Sequence, residues 1–315
     1  MATIRRLAYL VSGLFLSVFT IVTLATSAEI PSFSALYEPS GVIQTKTGEV
    51  IIIEDEGETP IYLTSFQSSN KGLILAEGQA FDAGIIVDDL EGITVTGLSS
   101  LFAITSHSTT KKGKQKGKRE QLLKLEVSNN SVRLIKNFDS LQPYIIEKLQ
   151  QLDGLDAEQI AQINIEGLSF DKSGKTLLIG LRSPTVGGKS IILELLNPFA
   201  LFETNESPRF SDQLLLLNLE GAGIRAFEYS PHLNRYLLAG EVKNKKGKLR
   251  PRIWTWDGDV NNRPTRVVLP KIKGIRNIEG ITPIIQDNTH RILIVCDDGK
   301  PDYRNGAHYL LINSK

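Results

Sequence analysis

Short runs of apolar residues separated by polar turns recur along the whole chain. Many of these runs are rich in valine, isoleucine and leucine and are bounded by Gly, Ser, Asn or Asp, which is typical of β-strands. Alignment on the acid–glycine pairs yields five similar segments, which begin at Glu38, Glu91, Glu166, Arg225 and Glu279. Their starts are 53, 75, 59 and 54 residues apart, so the pattern predicts a repeat protein.

The five segments have one layout. A first strand, A, is followed by a turn and a more apolar strand, B, and then by two further strand-like runs, C and D. In the third segment, C and D are "SIILELL" (190–196) and "QLLLLNLE" (213–220). Four antiparallel strands repeated around a ring describe a β-propeller. The sequence therefore predicts a single all-β domain over residues 29–315, with five four-stranded antiparallel blades.

The two ends of this domain are expected to close the ring. The fifth segment has only three strands, the last being "HYLLINS" (308–314), whereas "IPSFSAL" (30–36) is a spare strand before the first segment. We expect the N-terminal strand to complete the last blade and cover its edge. The longest step between segments contains an insertion, residues 140–162, whose apolar spacing predicts a helix with Asp139 or Ser140 as N-cap.

Strand geometry predicts a charged ring at one mouth of the channel. The start of A and the end of B are adjacent in an antiparallel pair, and sixteen residues separate them in four segments, with eighteen in the fifth. The predicted A positions are Glu38, Glu91, Glu166, Arg225 and Glu279. The predicted B positions are Glu54, His107, Arg182, Glu241 and Asp297.

Seven acids in one ring repel one another, which invites a cation, raised carboxyl pKa values or a cationic ligand. Oxygen ligands suit Ca²⁺, and the candidate metal ligands are Glu38, Glu54, Glu91, Glu166, Glu241, Glu279 and Asp297. Arg182 and Arg225 come from neighbouring blades and are placed to clamp a phosphate or carboxylate, with His107 nearby. An alternative is that Glu–Arg pairs in the ring only hold the blades in register.

Several phrases in these segments together resemble a family of secreted bacterial propeller proteins known as a domain of unknown function. They are "EPSG" (38–41), "DLEG" (89–92), "SHS" (106–108), "NIEGL" (164–168), "GLRSP" (180–184), "GAGIR" (221–225) and "NIEGI…CDDG" (277–299). The resemblance covers most of the chain after the first 28 residues. More distantly, the chain resembles phytase-like and esterase-like propellers, which implies calcium and phosphoester chemistry.

The first 28 residues predict a secretory signal peptide. Arg5 and Arg6 precede an apolar run over residues 7–24, and the small residues of "ATSA" (25–28) follow. The apolar run is long enough for an uncleaved anchor to be the alternative. We therefore expect a secreted or periplasmic protein without further membrane contact.

The amino-acid composition limits the kinds of partner that the protein is expected to bind. The 36 basic and 35 acidic side chains nearly cancel, which argues against a dedicated nucleic-acid binder. A single cysteine, Cys296, excludes an intramolecular disulfide framework. We expect a monomer that acts on, or binds, a small anionic ligand.

Two functions follow from the ring. The first is a Ca²⁺-dependent hydrolase of anionic esters, with Glu166 and His107 as candidate catalytic groups and Arg182 and Arg225 on the anion. The second is a non-catalytic ligand-binding or scaffold propeller whose Glu/Arg ring is structural. No nucleophile-elbow, phosphate-loop or zinc-ligand motif selects between them.

Overall fold

Five β-sheets surround a central channel and form the predicted five-bladed propeller. The computed structural model describes residues 30–314 except 56–58, 71, 111, 269–274, 301, 303 and 304. The predicted signal peptide thus lies outside the described residues. Among the residues described, no helix has the length and apolar character needed to cross a membrane.

The first three blades each contain four antiparallel strands, with strand A innermost. Blade 1 consists of β1 (Pro39–Gln44), β2 (Val50–Glu54), β3 (Ile61–Thr64) and β6 (Gln79–Phe81), and a side hairpin adds β4 (Phe66–Ser69) and β5 (Gly72–Leu75). Blade 2 consists of β7 (Leu90–Thr96), β8 (Ser100–Thr105), β9 (Leu122–Ser128) and β10 (Ser131–Phe138). Blade 3 consists of β11 (Asn164–Phe170), β12 (Leu177–Ser183), β13 (Ser190–Leu195) and β14 (Leu215–Leu217).

The last two blades continue the same order. Blade 4 consists of β15 (Ala226–Ser230), β16 (Arg235–Lys243), β17 (Leu249–Trp256) and β18 (Thr265–Val267). Blade 5 consists of β19 (Ile278–Gln286), β20 (Thr289–Cys296) and β21 (Tyr309–Asn313). The N-terminal segment lies beside β21, because Ser32 bridges His308 and the Phe33 amide donates to the Ala307 carbonyl at 2.9 Å. The predicted closure of the last blade is confirmed.

The insertion between blades 2 and 3 differs from the single predicted helix. It contains two helices, α1 (Gln142–Gln150) and α2 (Ala157–Ile160). Leu141 occupies the N-cap of α1 without a side-chain hydrogen bond, so Asp139 and Ser140 do not cap it. A third helix, α3 (Pro198–Glu203), and a 3₁₀ turn (Gly117–Arg119) were not predicted. These elements lie outside the repeated strands, where the repeat pattern carries no information.

The hydrophobic core is divided into five clusters, one at each contact between neighbouring blades. Ile51 and Leu101, for example, belong to the cluster between blades 1 and 2, and both are fully buried. The cluster between blades 2 and 3 also includes Ile145 and Leu149 of α1. Because each sheet is covered on both faces, its central strands are apolar almost throughout.

Close contact between blades explains the glycines in the innermost strands. A Cβ added at Gly167 would lie 2.6 Å from Ile224 Cγ2 at the entry to blade 4, and one added at Gly280 would lie 2.9 Å from Val42 Cγ1 of blade 1. Separations below 3 Å force a side chain or the backbone to move. These glycines therefore fix how closely adjacent blades approach the channel axis.

Replacement of Gly167 with alanine is expected to lower the free energy of unfolding by about 1–3 kcal/mol, because the added methyl overpacks the contact between blades 3 and 4. Urea unfolding measures the change. Gly117→Ala is the matched control, since no described atom lies within 4 Å of a Cβ added there and its φ is not positive. Equal stability of the two variants would refute the close-packing explanation.

Candidate functional site

A break in strand register marks the same point of the innermost strand in four blades. The pairing shifts between Pro39 and Gly41, Leu90 and Gly92, Ile165 and Gly167, and Ile278 and Gly280. Each shift leaves one residue unpaired, as in a β-bulge, which redirects a side chain. Together with Arg225, which precedes Ala226 at the start of β15, these unpaired residues form what we call the inner ring: Ser40, Glu91, Glu166, Arg225 and Glu279.

The end of strand B supplies a second layer at the same mouth. The pairs Pro39–Glu54, Leu90–Thr105, Ile165–Leu181 and Ile278–Cys296 occupy equivalent positions. The residue that follows each B-strand partner, with Glu241 in blade 4, belongs to what we call the outer ring: Asp55, Ser106, Arg182, Glu241 and Asp297. The two rings contain six acids, two arginines and two serines.

Seven of the ten predicted ring positions match these rings, and three do not. In blade 1 the inner position belongs to Ser40 rather than Glu38, and the outer position belongs to Asp55 rather than Glu54. In blade 2 the outer position belongs to Ser106 rather than His107. The alignment of blade 1 was wrong because it matched Glu38 to the glutamates of the other blades. The position that is equivalent in the strand register is the close-packed glycine, Gly41.

Glu54 has a local role beside the mouth. Its Oε1 accepts hydrogen bonds from the amides of Tyr37 (2.8 Å) and Glu38 (3.2 Å), which holds the entry to blade 1. Burial, with the Glu54 carboxylate as the next cause, raises the pKa of Tyr62 to about 12. Glu54 is thus occupied by its own neighbours.

His107 lies beneath α1 and is almost completely buried. Its Nδ1 is 2.9 Å from the Thr105 carbonyl, and its own carbonyl accepts a hydrogen bond from the Gln142 side chain at 3.0 Å. Burial lowers the pKa of His107 to about 4. The arrangement anchors α1 to blade 2, and the register puts His107 one residue beyond the outer ring.

Arg225 is the centre of the charged mouth. Its Nε is 3.2 Å from Glu166 Oε2, its Nη1 is 3.0 Å from Glu241 Oε2 and its Nη2 is 2.5 Å from Glu279 Oε1. Burial by itself lowers the pKa of Arg225, but the carboxylates of Glu279, Glu166 and Glu241 outweigh it and raise the pKa above its usual range. One guanidinium thus joins blades 3, 4 and 5.

Arg182 and Arg225 together hold a carboxylate, but it is the protein's own. Arg182 Nη1 bonds to Glu166 Oε1, and Arg225 Nε bonds to Glu166 Oε2. The Arg182 side chain is 44% exposed, whereas that of Arg225 is 9% exposed. We call Arg182, Arg225, Glu166, Glu241 and Glu279 the Arg225 network. The predicted anion clamp is filled by Glu166 in this arrangement.

Glu91 and Glu279 face the channel with acceptor oxygens to spare. Glu91 is buried, and among the described residues no hydrogen bond or salt bridge reaches its carboxylate. Burial raises the pKa of Glu91, and the charges of Glu166 and Glu279 raise it further. The pKa of Glu279 is also raised, by burial and by Glu166, despite the opposing effect of Arg225, and its buried Oε2 has no hydrogen-bond partner.

The space between these carboxylates is very small. A cavity of about 10 Å³ is lined by Glu91, Glu166, Glu279 and Ser40 of the inner ring, together with the glycines and apolar residues beside them. That volume is about what one water molecule requires. Whatever enters between the inner-ring carboxylates is therefore no larger than a water molecule or a single small ion.

The donor set fits a resident Ca²⁺ ion poorly. Six to eight oxygens surround Ca²⁺ in proteins, yet Glu166 and Glu241 are bonded to arginine, and Glu54 is bonded to backbone amides. Over the described part of the chain, no three His, Cys, Asp or Glu side chains come together as a metal-binding group. A calcium ion would have to draw Glu91, Glu279 and Asp297 away from their present positions.

Two further charged residues at the mouth escaped the sequence pattern. Asp89, two residues before Glu91, accepts hydrogen bonds from the hydroxyls of Ser106 and Ser108 and lies 3.0 Å from Arg119. Arg119 ends the basic stretch "KKGKQKGKR" (111–119) and also bonds to Asp88 at 2.9 Å. The phrase "DLEG" (89–92) shows an acid two residues before Glu91, so Asp89 could have been recognised from the sequence. Its partner Arg119 lies in a distant loop and could not.

Fold and site together define a five-bladed β-propeller with a charged double ring at one mouth of its channel. The chain belongs to the family described as "Protein of unknown function (DUF3616)", which matches residues 104–312. The predicted resemblance to a propeller family of unknown function is therefore confirmed. No curated protein matches the chain in sequence.

Solved structures with a similar fold come from diverse proteins. Hydrazine synthase of Kuenenia stuttgartiensis is 9% identical with a TM-score of 0.41, over 90% of this chain and 88% of that chain. Sqt1 of Saccharomyces cerevisiae is 8% identical with a TM-score of 0.35, over 86% and 83%. The Malassezia sympodialis allergen Mala s 1 is 8% identical with a TM-score of 0.41, over 88% and 79%. Such distant likenesses carry no argument about function.

Proposed function

We propose that the protein is a secreted or periplasmic binding propeller whose charged mouth binds the ammonium group of a small cationic ligand. The observation that carries this proposal is the pair of buried acids, Glu91 and Glu279, beside a water-sized cavity. Among the described residues no hydrogen bond or salt bridge reaches the Glu91 carboxylate, and Glu279 Oε2 is buried without a hydrogen-bond partner. The secreted location follows from the predicted signal peptide alone.

The balance of charge supports a cation. The double ring has six acids against two arginines, and both arginines are bonded to ring carboxylates. Burial raises the pKa of Glu91, and the charges of Glu166, Glu279, Asp89 and Asp55 raise it further. Arg119 is the one described cation that also interacts with Glu91, and it is already paired with Asp88 and Asp89. A cation next to Glu91 relieves both the repulsion and the cost of burying an unpaired carboxylate.

Size and hydrogen bonding favour an ammonium head. A primary ammonium group is about as large as a water molecule and donates three hydrogen bonds, so two or three acceptors satisfy it. Ca²⁺ needs at least twice as many oxygens. The free oxygens of Glu91 and Glu279 are therefore better matched to an ammonium group than to calcium, which is retained as the competing cation.

Hydrolysis of an anionic ester has less support than binding. It requires a free cationic clamp, whereas Glu166 occupies Arg182 and Arg225. It also requires a general base at the mouth, whereas His107 is buried under α1 with a pKa lowered to about 4 by burial. Calcium-dependent turnover of a phosphoester would overrule this ranking.

Methylammonium is the simplest probe of the proposed site. We expect methylammonium chloride to raise the melting temperature more than tetramethylammonium, sodium or calcium chloride at equal ionic strength. Tetramethylammonium is too large for the cavity, and sodium and calcium ions cannot donate a hydrogen bond to Glu91. At a hundredfold excess over Kd, linkage predicts about 2.7 kcal/mol of stabilisation. Isothermal titration measures the affinity directly.

The Glu91→Gln variant separates binding from structure. We expect it to be at least as stable as wild type without ligand, because it removes a buried unpaired acid, and to lose the response to methylammonium. Glu126→Gln, in the same blade but paired with Arg133 on the surface, is the matched control. Stabilisation by calcium alone would favour a metal site, and no response to any cation would favour a purely structural ring.

A further inference from the structure

The opposite mouth of the channel, formed by the A–B turns, opens into a much larger cavity. Its volume is about 840 Å³, within the range of about 300–1,000 Å³ that is usual for small-molecule sites. The walls include Phe170, Tyr229, Pro283 and Ile285, so much of the lining is apolar or aromatic. We call it the turn-side cavity.

A further ring of residues, distinct from the inner and outer rings of the charged mouth, lies between that mouth and the turn-side cavity. It consists of the residues three positions beyond the inner ring in each A strand: Ile43, Thr94, Ser169, Glu228 and Thr282. All five are buried, and four are polar. Ile43, Glu228 and Thr282 line the turn-side cavity directly.

Glu228 is the chemically unusual member of this ring. It is 6% exposed, and its Oε1 accepts hydrogen bonds from the Tyr229 amide at 2.9 Å and the Ser169 hydroxyl at 3.4 Å. Its Oε2 is buried without a hydrogen-bond partner of normal geometry, as is the Thr94 hydroxyl oxygen. The fold thus leaves one carboxyl oxygen of a cavity-lining residue buried and without a hydrogen-bond partner.

The groups around Glu228 do not compensate a negative charge. Among the described residues no salt bridge reaches Glu228, and the titratable groups near it are Tyr229, Tyr236 and, through Tyr236, Asp171. Lys46, Lys172, His232 and His290 also line the cavity, and none of them forms an ion pair with Glu228.

Such an isolated buried carboxyl is stable only as the neutral acid. Burial raises the pKa of Glu228 to about 8, although Thr94, Tyr229 and Ser169 act to lower it. At neutral pH the protonated acid, which donates a hydrogen bond, is therefore the favoured form, and Oε2 is the oxygen that accepts no other hydrogen bond. Two further flat rings line the cavity, because the His232 and His290 side chains stack with ring centroids 3.7 Å apart.

We propose that the turn-side cavity binds a small, neutral aromatic molecule whose carbonyl oxygen accepts a hydrogen bond from Glu228. The apolar and aromatic walls bury the ring, and the carboxylic acid of Glu228 selects an acceptor group rather than an anion or a bare hydrocarbon. This site is separate from the charged mouth and does not depend on the ammonium proposal.

Acetophenone is a suitable probe because it is neutral and has an acceptor oxygen but no donor. Ligand-observed NMR and isothermal titration at pH 6.5 are expected to show binding at least tenfold tighter than that of benzoate, ethylbenzene or benzylamine. Between pH 6.5 and pH 9.5 the affinity of wild type for acetophenone is expected to fall about tenfold, because the ionised Glu228 cannot donate.

Variants test whether Glu228 makes this contact. Glu228→Ala is expected to lose at least tenfold in affinity, whereas Glu228→Gln, whose amide still donates, is expected to stay within about threefold of wild type and to bind equally at both pH values. Glu194→Gln, in strand β13 outside the cavity, is the control. If Glu228→Ala does not fold, the pH profiles of wild type and Glu228→Gln decide. No acetophenone binding, or binding that ignores both pH and Glu228, overturns the proposal.

Discussion

Replacement of Arg225 with glutamine is expected to lower the free energy of unfolding by about 3–5 kcal/mol at pH 8, the usual cost of removing one partner from a buried ion pair. The variant leaves Glu166, Glu241 and Glu279 without the guanidinium that joins blades 3, 4 and 5. The loss is expected to be smaller at pH 5, because the raised pKa of Glu279 lets that carboxyl take up a proton.

Urea unfolding of two companion variants makes this prediction sharp. Arg266→Gln removes an exposed arginine that is 3.8 Å from Glu220 and is expected to cost less than about 0.5 kcal/mol. Arg225→Gln combined with Glu279→Gln is expected to be more stable than Arg225→Gln alone, since one fewer charge is buried unpaired. If Arg225→Gln were as mild as Arg266→Gln, the Arg225 network would not be what holds these blades together.

The Glu228→Gln variant is expected to be more stable than wild type at pH 9, by an amount on the order of 4 kcal/mol, and similar to wild type at pH 5. The Glu228 carboxyl has an ordinary pKa near 4.5 and a folded-state pKa raised by burial to about 8. Between these values the folded protein binds more protons than the unfolded chain, so the free energy of unfolding falls as pH rises.

Comparison of the variant with wild type separates the effect of Glu228 from that of the other carboxyls whose pKa is raised. Glu91, Glu279 and Asp297 also have raised pKa values, chiefly through burial, but they are common to wild type and variant. The quantity to measure is therefore the difference in unfolding free energy between Glu228→Gln and wild type from pH 5 to pH 9. Glu126→Gln, on the surface of blade 2, is the control. A difference for Glu228→Gln that does not change with pH would mean that its carboxyl is not neutral in the fold.

The strand pattern located most of the charged mouth because its geometry is local. In an antiparallel hairpin, a fixed number of residues separates two positions that face each other. Glu166 and Arg182 are sixteen residues apart and do meet in an ion pair. Arg225 and Glu241 have the same spacing and also meet.

The same spacing failed where the acid and the glycine carried different information. In "EPSG" (38–41) the acid precedes Gly41 by three residues, whereas in the other acid–glycine pairs it precedes the glycine directly. Gly41, not Glu38, aligns with Gly92, Gly167 and Gly280 in the strand register. An alignment on the glycines would have placed Ser40 in the inner ring, because Ser40 directly precedes Gly41. The glycine is the more reliable marker, because the close approach of the blades permits no larger residue at the glycine position.

Partners outside a single hairpin were beyond the pattern. The spacing did not indicate that Arg225 of blade 4 bonds to Glu166 of blade 3, that Asp89 pairs with Arg119, or that Glu228 lies near Thr94 and Ser169. The contacts of Arg225 with Glu166 and of Glu228 with Ser169 join different blades, so they depend on how neighbouring blades twist and pack. Asp89 and Arg119 meet within blade 2, but through a loop that lies outside the hairpin of strands A and B. The placement of His107 beneath α1 likewise depended on an insertion that the repeat does not describe.

By itself, then, the sequence determined the five repeats, the innermost strand of each blade, the closure by the N-terminal strand and the charged end of the channel. These properties follow from alternation and spacing within single hairpins. Only the tertiary structure decided which charges neutralise each other and which carboxyls remain unpaired. It also decided that Thr94, Ser169, Glu228 and Thr282 meet beside the turn-side cavity. Those outcomes depend on distances of a few ångströms between blades, which are set by packing rather than by position along the chain.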